Sequence, residues 1–177
     1  MPLEAALEQL TRFKGVQKRQ ELVADVGDVW VMEDYANHPT AVAETLKGLR
    51  ARFPERRLWA IYEPKSNTAR RNVHQHDYKA ALAEAPIIRV TRPFKKEDRF
   101  SAEERLDIDA LTQALADEGL NAKTSHEISE LVDELGEQAQ AGDLLVFMSS
   151  SHFEGGVTAT IERLSHRDKN REEHKKE

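Results

Sequence analysis

Three short apolar runs, each followed by a polar loop and then by a segment of helical periodicity, constrain the fold of this chain most. The runs cover residues 29–32, 58–62 and 144–148, and Gly27-Asp28 turns a strand over 21–26 back into the first run. Short runs rich in β-branched and aromatic residues are typical of buried strands. Strands that alternate with helices predict a mostly parallel sheet covered on both faces. We therefore expect a Rossmann-like, three-layer α/β domain with about six strands.

The polar loops that follow these runs are the first candidates for a binding site. They cover Glu33 to Thr40, Glu63 to Arg71 and Ser149 to Gly156. The carboxyl ends of parallel strands share one edge of a sheet, and ligands of open α/β sheets bind outside that edge. Solvation alone would account for the polarity of any single loop. For the three together, the topology favours convergence on one ligand.

Composition narrows the chemistry. None of the 177 residues is cysteine, which excludes disulfides, thiolate nucleophiles and cysteine-ligated metals. The net charge of −6 argues against a nucleic-acid surface, whereas basic clusters at Lys14 to Arg19, Arg56-Arg57 and Lys65 to Arg71 could meet an anionic ligand. No apolar run approaches the ~20 residues of a membrane span, and the N-terminus lacks the pattern of a signal peptide. We expect a cytoplasmic protein without membrane insertion.

Further boundaries follow from periodicity and charge. A helix is predicted from about Ala69 to Ala85, and Ser101 to Glu104 have the spacing of a capping box before a helix whose core stripe runs from Ile108 to Leu115. Residues 165–177 are nearly all charged, which predicts a disordered tail. The expected division is a folded domain over residues 1–164 and a tail over residues 165–177.

Four sequence segments together carry a resemblance to a known family. They are Phe13-Lys14-Gly15-Val16 with Lys18-Arg19, EDYANHPTAVAETLKGLR (33–50), LWAIYEPKSNTARR (58–71) and GDLLVFMSSSHFEGG (142–156). In this order they resemble the C-terminal domain of the Mur ligase family, and within it the branch of the murein peptide ligases. The similarity runs from about Ala5 to Leu164, and EPKSNT and the DYAxHP core are its most specific parts.

The resemblance implies the activity of a larger enzyme with an N-terminal, a central and a C-terminal domain. Such a ligase uses ATP and Mg²⁺ to join the tripeptide L-alanyl-γ-D-glutamyl-meso-diaminopimelate to UDP-N-acetylmuramate in peptidoglycan recycling. Its C-terminal domain binds the peptide and closes over the ATP. This chain has no G-x-x-x-x-G-K-[ST] phosphate loop, so ATP and Mg²⁺ would be bound mostly by the central domain, and the isolated chain is predicted to be inactive. The alternative is a stand-alone, non-catalytic module that binds a nucleotide or a peptide.

The resemblance assigns residues near the first loop to the nucleotide and to catalysis. Arg19 resembles an arginine that contacts the γ-phosphate on closure, although a surface arginine in a basic run is the alternative. Asp34 resembles the acid that holds the ribose, or it is a charge at a helix start. Tyr35, Asn37 and His38 would flank the nucleotide or the nascent amide. Asn37 replaces a more usual histidine, and His38 is either catalytic or a neighbour of the helix cap.

The second and third loops are assigned to the substrate. A peptide with several carboxylates requires cations and hydroxyl or amide donors at close spacing. Ser151 and His152 are bulkier than the residues that the family usually has there. The resemblance implies that the tripeptide is bound by Lys65, Ser66, Asn67, Thr68, Arg70 and Arg71, together with Ser150 and His152.

His74 and His76 form an H-x-H pair, which binds metals in other proteins. Residues two apart on a helix do not face together, and no third ligand is evident, so no metal site is predicted. Ser150 and His152 lack the G-x-S-x-G elbow that a hydrolase would need.

Overall fold

A computed structural model of the chain describes residues 15–92 and 101–173, together with Glu4 and Leu7. Phe13 and Lys14 of the first quoted segment lie outside the described residues. Short 3₁₀ turns cover Asn72–His74, Ala102–Glu104 and Phe153–Gly155. The regular elements are β1 (Glu21–Val26), β2 (Val29–Asp34), α1 (Pro39–Arg52), β3 (Arg57–Tyr62), α2 (Gln75–Leu82), β4 (Ile87–Thr91), α3 (Ile108–Asp117), β5 (Asn121–Ser125), α4 (Ile128–Gln138), β6 (Asp143–Met148) and α5 (Gly156–Glu173).

The six strands form one sheet in the order β1-β2-β6-β3-β4-β5. β1 and β2 form an antiparallel hairpin through Gly27 and Asp28, whose φ angles of 56° and 64° fit the tight turn predicted from the sequence. The other neighbouring strands run parallel. The mostly parallel, Rossmann-like sheet expected from the alternating pattern is thereby confirmed.

Helices cover both faces of the sheet. α1, α2 and α3 pack on one face, in a core that includes Leu46, Tyr78 and Leu111. α4 and α5 pack on the opposite face, against Trp59 and Phe147. β3 and β6 lie inside the sheet and are buried on both faces, which explains their almost uninterrupted apolar sequences.

The helix predicted from about Ala69 to Ala85 is shorter than expected, because α2 begins only at Gln75. The Ser66 hydroxyl accepts a hydrogen bond from the backbone N–H three residues later at 3.1 Å, and Asn67 Oδ1 accepts one from the Arg70 guanidinium at 3.1 Å. Short polar side chains that bond to nearby groups compete with helix formation. The segment therefore forms turns before the helix starts.

The capping box predicted at Ser101 to Glu104 is wrong as the start of a helix. Ser101 N does donate to the Glu104 carboxylate at 3.1 Å, but only a 3₁₀ turn forms there. α3 begins later, and its N-cap is Asp107, whose carboxylate accepts from Ala110 N at 2.9 Å. A carboxylate at the N-cap satisfies an exposed backbone donor and interacts favourably with the helix dipole, so Asp107 fixes the start of the helix.

The tail predicted over residues 165–177 is helical as far as it is described, because α5 continues to Glu173. Arg167 donates to the carbonyls of Gly136 at 2.7 Å and Ala139 at 2.6 Å. These carbonyls lie at the end of α4, so a charged residue of the tail satisfies acceptors that the helix leaves open. No helix in the described part of the chain is long and apolar enough to cross a membrane.

Candidate functional site

The three polar loops meet at one edge of the sheet. β6 lies between β2 and β3, and Met148 pairs in register with both Asp34 and Tyr62. Ser149 N donates to Asp34 O at 3.1 Å, and Glu63 N donates to Met148 O at 3.1 Å. Backbone hydrogen bonds therefore continue from the strands into the loops, and the predicted placement of the three loops at one edge of the sheet is confirmed. Their convergence on one ligand stays a prediction.

An open cleft of about 600 Å³ lies at this edge of the sheet. It is lined by four residues that the sequence assigned to the nucleotide or the substrate: Arg19, Tyr35, Ser150 and His152. Arg19 is exposed, and its guanidinium carbon lies 5.6 Å from the centre of the Tyr35 ring. A guanidinium beside an aromatic ring can hold an anionic group next to a planar one.

Lys18 lines the same cleft, although it is not among the residues predicted for the site. Its ammonium donates to Ser151 O and lies 3.6 Å from a carboxylate oxygen of Glu33. Its carbonyl accepts a hydrogen bond from Tyr35 N at 2.8 Å. These contacts fasten the segment before β1 to the first and third loops. The sequence offers no sign of this, because a lysine in a basic run looks the same whether or not it is held.

Asp34 anchors the edge from within. Its side chain is buried, and its carboxylate accepts from Gln20 N at 2.9 Å, Ala36 N at 2.7 Å and the Thr45 hydroxyl at 3.4 Å. Both carboxylate oxygens are therefore engaged by donors of this chain. Asp34 ties the segment before β1 to the first loop and to α1, and contact with a ribose remains a prediction.

The carboxylate of Glu63 is fully buried beside the cleft, directly after β3. One of its oxygens accepts from the hydroxyls of Ser149, at 2.6 Å, and of Ser151. Its other oxygen lies 3.4 Å from the ammonium of Lys65. A carboxylate removed from water is stable only when such donors replace its hydration. The signal that could have singled out Glu63 is a charge immediately after an apolar strand that ends at Tyr62.

The residues of the predicted peptide-binding strip have different environments. The Lys65 ammonium lies between two carboxylates, because it is also 3.4 Å from Glu154. Arg70 is buried, whereas Arg71 is exposed and lies 3.6 Å from Glu104. Ser66 and Asn67 stabilise the turn described above, and Thr68 is exposed.

Asn37 and His38 bring the first loop into contact with α2 and with the turn before it. His38 is the N-cap of α1, where its Nδ1 accepts a backbone N–H at 3.4 Å, and its ring lies 4.9 Å from that of His74. It lines a shallow groove of about 320 Å³ between α1 and α2. The carbonyl of Asn37 accepts from the hydroxyls of Tyr62 at 3.1 Å and Tyr78 at 2.6 Å. His38 is thus the helix cap, and a catalytic role for it stays a prediction.

Burial keeps both tyrosines neutral. It raises the pKa of Tyr62 well above the ordinary value, and the neighbouring Tyr78 raises it further. Burial also raises the pKa of Tyr78, against a smaller opposing effect of its hydrogen bond with Tyr62. Each hydroxyl therefore remains a donor to Asn37 at neutral pH.

The H-x-H pair is engaged within the chain through His74, whose Nδ1 lies 2.9 Å from an Asp77 carboxylate oxygen. Among the residues that the structure describes, no group of three or more His, Cys, Asp or Glu side chains could hold a metal ion.

The third loop has an unusual backbone between β6 and α5. Phe153 and Glu154 have φ angles of 48° and 50°, in the left-handed region that residues with a Cβ rarely adopt. Such residues cost roughly 1–2 kcal/mol each and persist only where the surroundings hold them. Phe153 is held by burial, with its ring 5.2 Å from that of Phe147, and Glu154 by its ion pair with Lys65.

Known families and proteins match the chain across this region. The model of a family described as "Mur ligase, glutamate ligase domain" matches residues 18–151. The UDP-N-acetylmuramate–L-alanine ligase of Desulfitobacterium hafniense is 26% identical over 150 residues, which cover 85% of this chain and 33% of that protein. The UDP-N-acetylmuramate–L-alanyl-γ-D-glutamyl-meso-2,6-diaminoheptandioate ligase of Haemophilus influenzae is 31% identical over 160 residues, which cover 90% of this chain and 33% of that protein.

A solved structure shares both fold and extent with this chain. It is the crystal structure of a domain assigned to a UDP-N-acetylmuramate:L-alanyl-γ-D-glutamyl-meso-diaminopimelate ligase of Haemophilus ducreyi, with a TM-score of 0.64 and 25% identity. The match covers 82% of this chain and 99% of that domain. This chain thus spans about a third of the length of the curated relatives. Together, the family match and the shared fold show that the chain belongs to the Mur ligase family and has the fold of its C-terminal, glutamate ligase domain.

Proposed function

We propose that this chain is the C-terminal domain of an ATP-dependent ligase that forms an amide bond on UDP-N-acetylmuramate, with L-alanyl-γ-D-glutamyl-meso-diaminopimelate as the incoming peptide. The observation that carries the proposal is a cleft that contains Arg19 and is lined by residues of the first and third polar loops, while the second loop begins at the same edge of the sheet, in a chain without a phosphate loop. The N-terminal and central domains of such a ligase would be its partners.

The residues of the cleft fit an anionic ligand that another domain brings to them. Lys18 and Arg19 supply positive charge, and the exposed ring of Tyr35 offers a planar surface. ATP with Mg²⁺, held mostly by the central domain, supplies the phosphoryl group that activates the sugar carboxylate. Arg19 stabilises negative charge at that group once the domain has closed. His38 lines the separate groove, so a catalytic role for it is a weaker part of the proposal.

The choice of the tripeptide rests on charge. The two curated relatives are named for different amino donors, one for L-alanine and the other for the tripeptide. The tripeptide carries several carboxylates, whereas L-alanine carries only one. Thr68 and Arg71 are exposed within the second loop and present a hydroxyl and a cation a few residues after Lys65. This spacing of donors favours the longer, more acidic substrate.

Titration of the ¹⁵N-labelled chain with each ligand tests the proposal. The related domain of Haemophilus ducreyi crystallised by itself, so the domain is a suitable sample. We expect the tripeptide to shift the amides of residues 66–68 with a Kd on the order of 1 mM, about −4 kcal/mol, because half of the site is missing. L-alanine is the matched control and should leave these amides unchanged at equal concentration. Equal shifts with both ligands, or shifts confined to β5, would refute the assignment.

An activity assay separates the two classes of function. The isolated chain should neither hydrolyse ATP nor join the tripeptide to UDP-N-acetylmuramate, since it lacks the phosphate loop. Mg²⁺-dependent ligation by the chain alone would overturn this expectation. A Kd in the micromolar range for the peptide or for ATP, without other domains, would favour the stand-alone binding module instead.

A further inference from the structure

We infer that Glu63 is a positioning residue of this site: its buried carboxylate holds the third loop in place, and through that loop it fixes Lys18 and the segment that carries Arg19. The inference rests on the proposed function for the meaning of the cleft. The role of Glu63 in holding the third loop rests only on contacts within the chain.

Glu63 lies in a fully buried part of the sheet. It follows β3, whose neighbours β4 and β6 are themselves buried, and its own side chain has no exposed surface. One carboxylate oxygen accepts hydrogen bonds from the hydroxyls of Ser149 and Ser151, which belong to the third loop, and the other oxygen faces Lys65. The carboxylate thus connects the start of the second loop to the third.

Ser151 continues the connection to the cleft. Its hydroxyl donates to Glu63, and its carbonyl accepts from the ammonium of Lys18. Lys18 in turn accepts a hydrogen bond from Tyr35 through its own carbonyl, at 2.8 Å. Lys18 adopts a φ of 52°, so its backbone also needs such contacts to remain in place. Arg19 is the next residue, so the position of its backbone depends on that of Lys18.

The negative charge of Glu63 is what makes this arrangement work. Glutamine has the same shape, but its neutral oxygen accepts more weakly than a carboxylate oxygen, and its amide nitrogen is a donor. If that nitrogen faces Lys65, the serine hydroxyls lose their charged acceptor, and if it faces the serines, both hydroxyls must reverse their role and accept. In either orientation the contacts that hold the third loop are weakened. The left-handed backbone at Phe153 and Glu154 is strained, so the third loop should leave its position more easily once the contacts with Glu63 weaken.

The test compares the Glu63→Gln and Glu154→Gln variants with the wild-type chain by ¹⁵N relaxation. Both carboxylates lie 3.4 Å from the Lys65 ammonium, so both variants remove a negative charge from it. Only Glu63 contacts the serine hydroxyls. We expect lower heteronuclear NOE values at residues 16–20 and 149–154 in Glu63→Gln, with the strands unchanged, and wild-type values at residues 16–20 in Glu154→Gln. A purely stabilising role for Glu63 would not produce this local pattern.

A Ser151→Ala variant covers the case in which Glu63→Gln does not fold. It removes one hydroxyl and leaves the buried charge in place, and it should still loosen residues 16–20. Unchanged order at residues 16–20 in a folded Glu63→Gln or in Ser151→Ala would overturn the inference. Equal loosening in Glu154→Gln would also overturn it, because the charge near Lys65 alone would then be responsible.

Inorganic tripolyphosphate, an anion that resembles the phosphate chain of a nucleotide, links this order to binding. We expect it to bind the wild-type cleft weakly and to bind Glu63→Gln about three- to tenfold more weakly, since side chains that are no longer ordered must be immobilised on binding. Equal affinity in both would contradict the inference. Absence of tripolyphosphate binding to the wild-type chain would instead count against the proposed function, and the relaxation data would still decide the role of Glu63.

Discussion

Replacing Asp34 by asparagine should lower the stability of the domain, because the structure shows this residue as an anchor. The carboxylate accepts from Gln20 N at 2.9 Å, from Ala36 N at 2.7 Å and from the Thr45 hydroxyl at 3.4 Å. Asparagine keeps one acceptor oxygen, which can serve Ala36 and Thr45. Its amide nitrogen then faces the N–H of Gln20, donor against donor.

The magnitude follows from these contacts. A buried donor left without an acceptor costs about 1–3 kcal/mol, and hydrogen bonds to a charged group are worth about 1.5–3 kcal/mol. We expect the free energy of unfolding to fall by about 2–3 kcal/mol. For a chain of this size each kcal/mol corresponds to a shift of roughly 2–4 °C in Tm, so the variant should melt roughly 4–12 °C lower.

Urea unfolding followed by tryptophan fluorescence measures the change, since Trp59 is buried in the sheet. The m-value should stay constant, because the same surface is exposed on unfolding. Glu33→Gln is the matched control: this neighbour forms only a partly exposed ion pair with Lys18 at 3.6 Å, and its loss should cost less than about 1 kcal/mol. A change below about 0.5 kcal/mol in Asp34→Asn would refute the anchor and restore the ribose-binding reading.

Two further predictions concern buried titratable groups, both measured as unfolding free energy against pH. Glu134→Ala should cost about 3–5 kcal/mol, because it leaves the fully buried Arg89, now paired with Glu134 at 2.7 Å and 2.8 Å, without its carboxylate. Burial raises the pKa of Glu134, but Arg89 and Lys123 outweigh burial, and the pKa is lowered. The pair therefore stabilises the fold above about pH 4.3, and this contribution should be lost on acidification. The same loss of stability at acidic pH in Glu134→Gln would contradict this. The raised pKa of Tyr62 means that the folded state is favoured while the phenol is neutral, so stability should fall as pH rises above about 10. Tyr62→Phe should weaken that fall. An unchanged fall of stability at alkaline pH in this variant would disprove the prediction.

The strands and the convergence of the loops could be predicted because both depend on local patterns. β2, β3 and β6 are short apolar runs, and Gly27 with Asp28 marks the hairpin before β2. Once parallel strands are recognised, the position of the loops follows from topology, whatever side chains they carry. Tyr35, Ser150 and His152 of the first and third loops therefore line one cleft, which Arg19 joins from the segment before β1.

The side-chain partners could not be predicted, because they come from distant segments. Glu63 meets serines that lie 86 and 88 residues later, and its place directly after an apolar strand does not indicate these partners. Arg167, in the charged tail, donates to carbonyls at the end of α4 that precede it by 31 and 28 residues. The late start of α2 is a different case, since Ser66 and Asn67 are local signals: their side chains form hydrogen bonds that compete with the helix.

The charges at the site explain why a domain of this kind would need the other domains of a ligase in order to act. Lys65 lies between two carboxylates, and Lys18 lies near Glu33, so both ammonium groups are already largely compensated. Arg19 contacts the ring of Tyr35 instead, and a ring quadrupole is a weaker partner than a carboxylate. An anion arriving from solvent would meet little excess positive charge and would bind weakly. In the proposed ligase, an anion held by the central domain would already have lost its freedom of movement there, so a single well-placed guanidinium would be enough to favour closure of this domain.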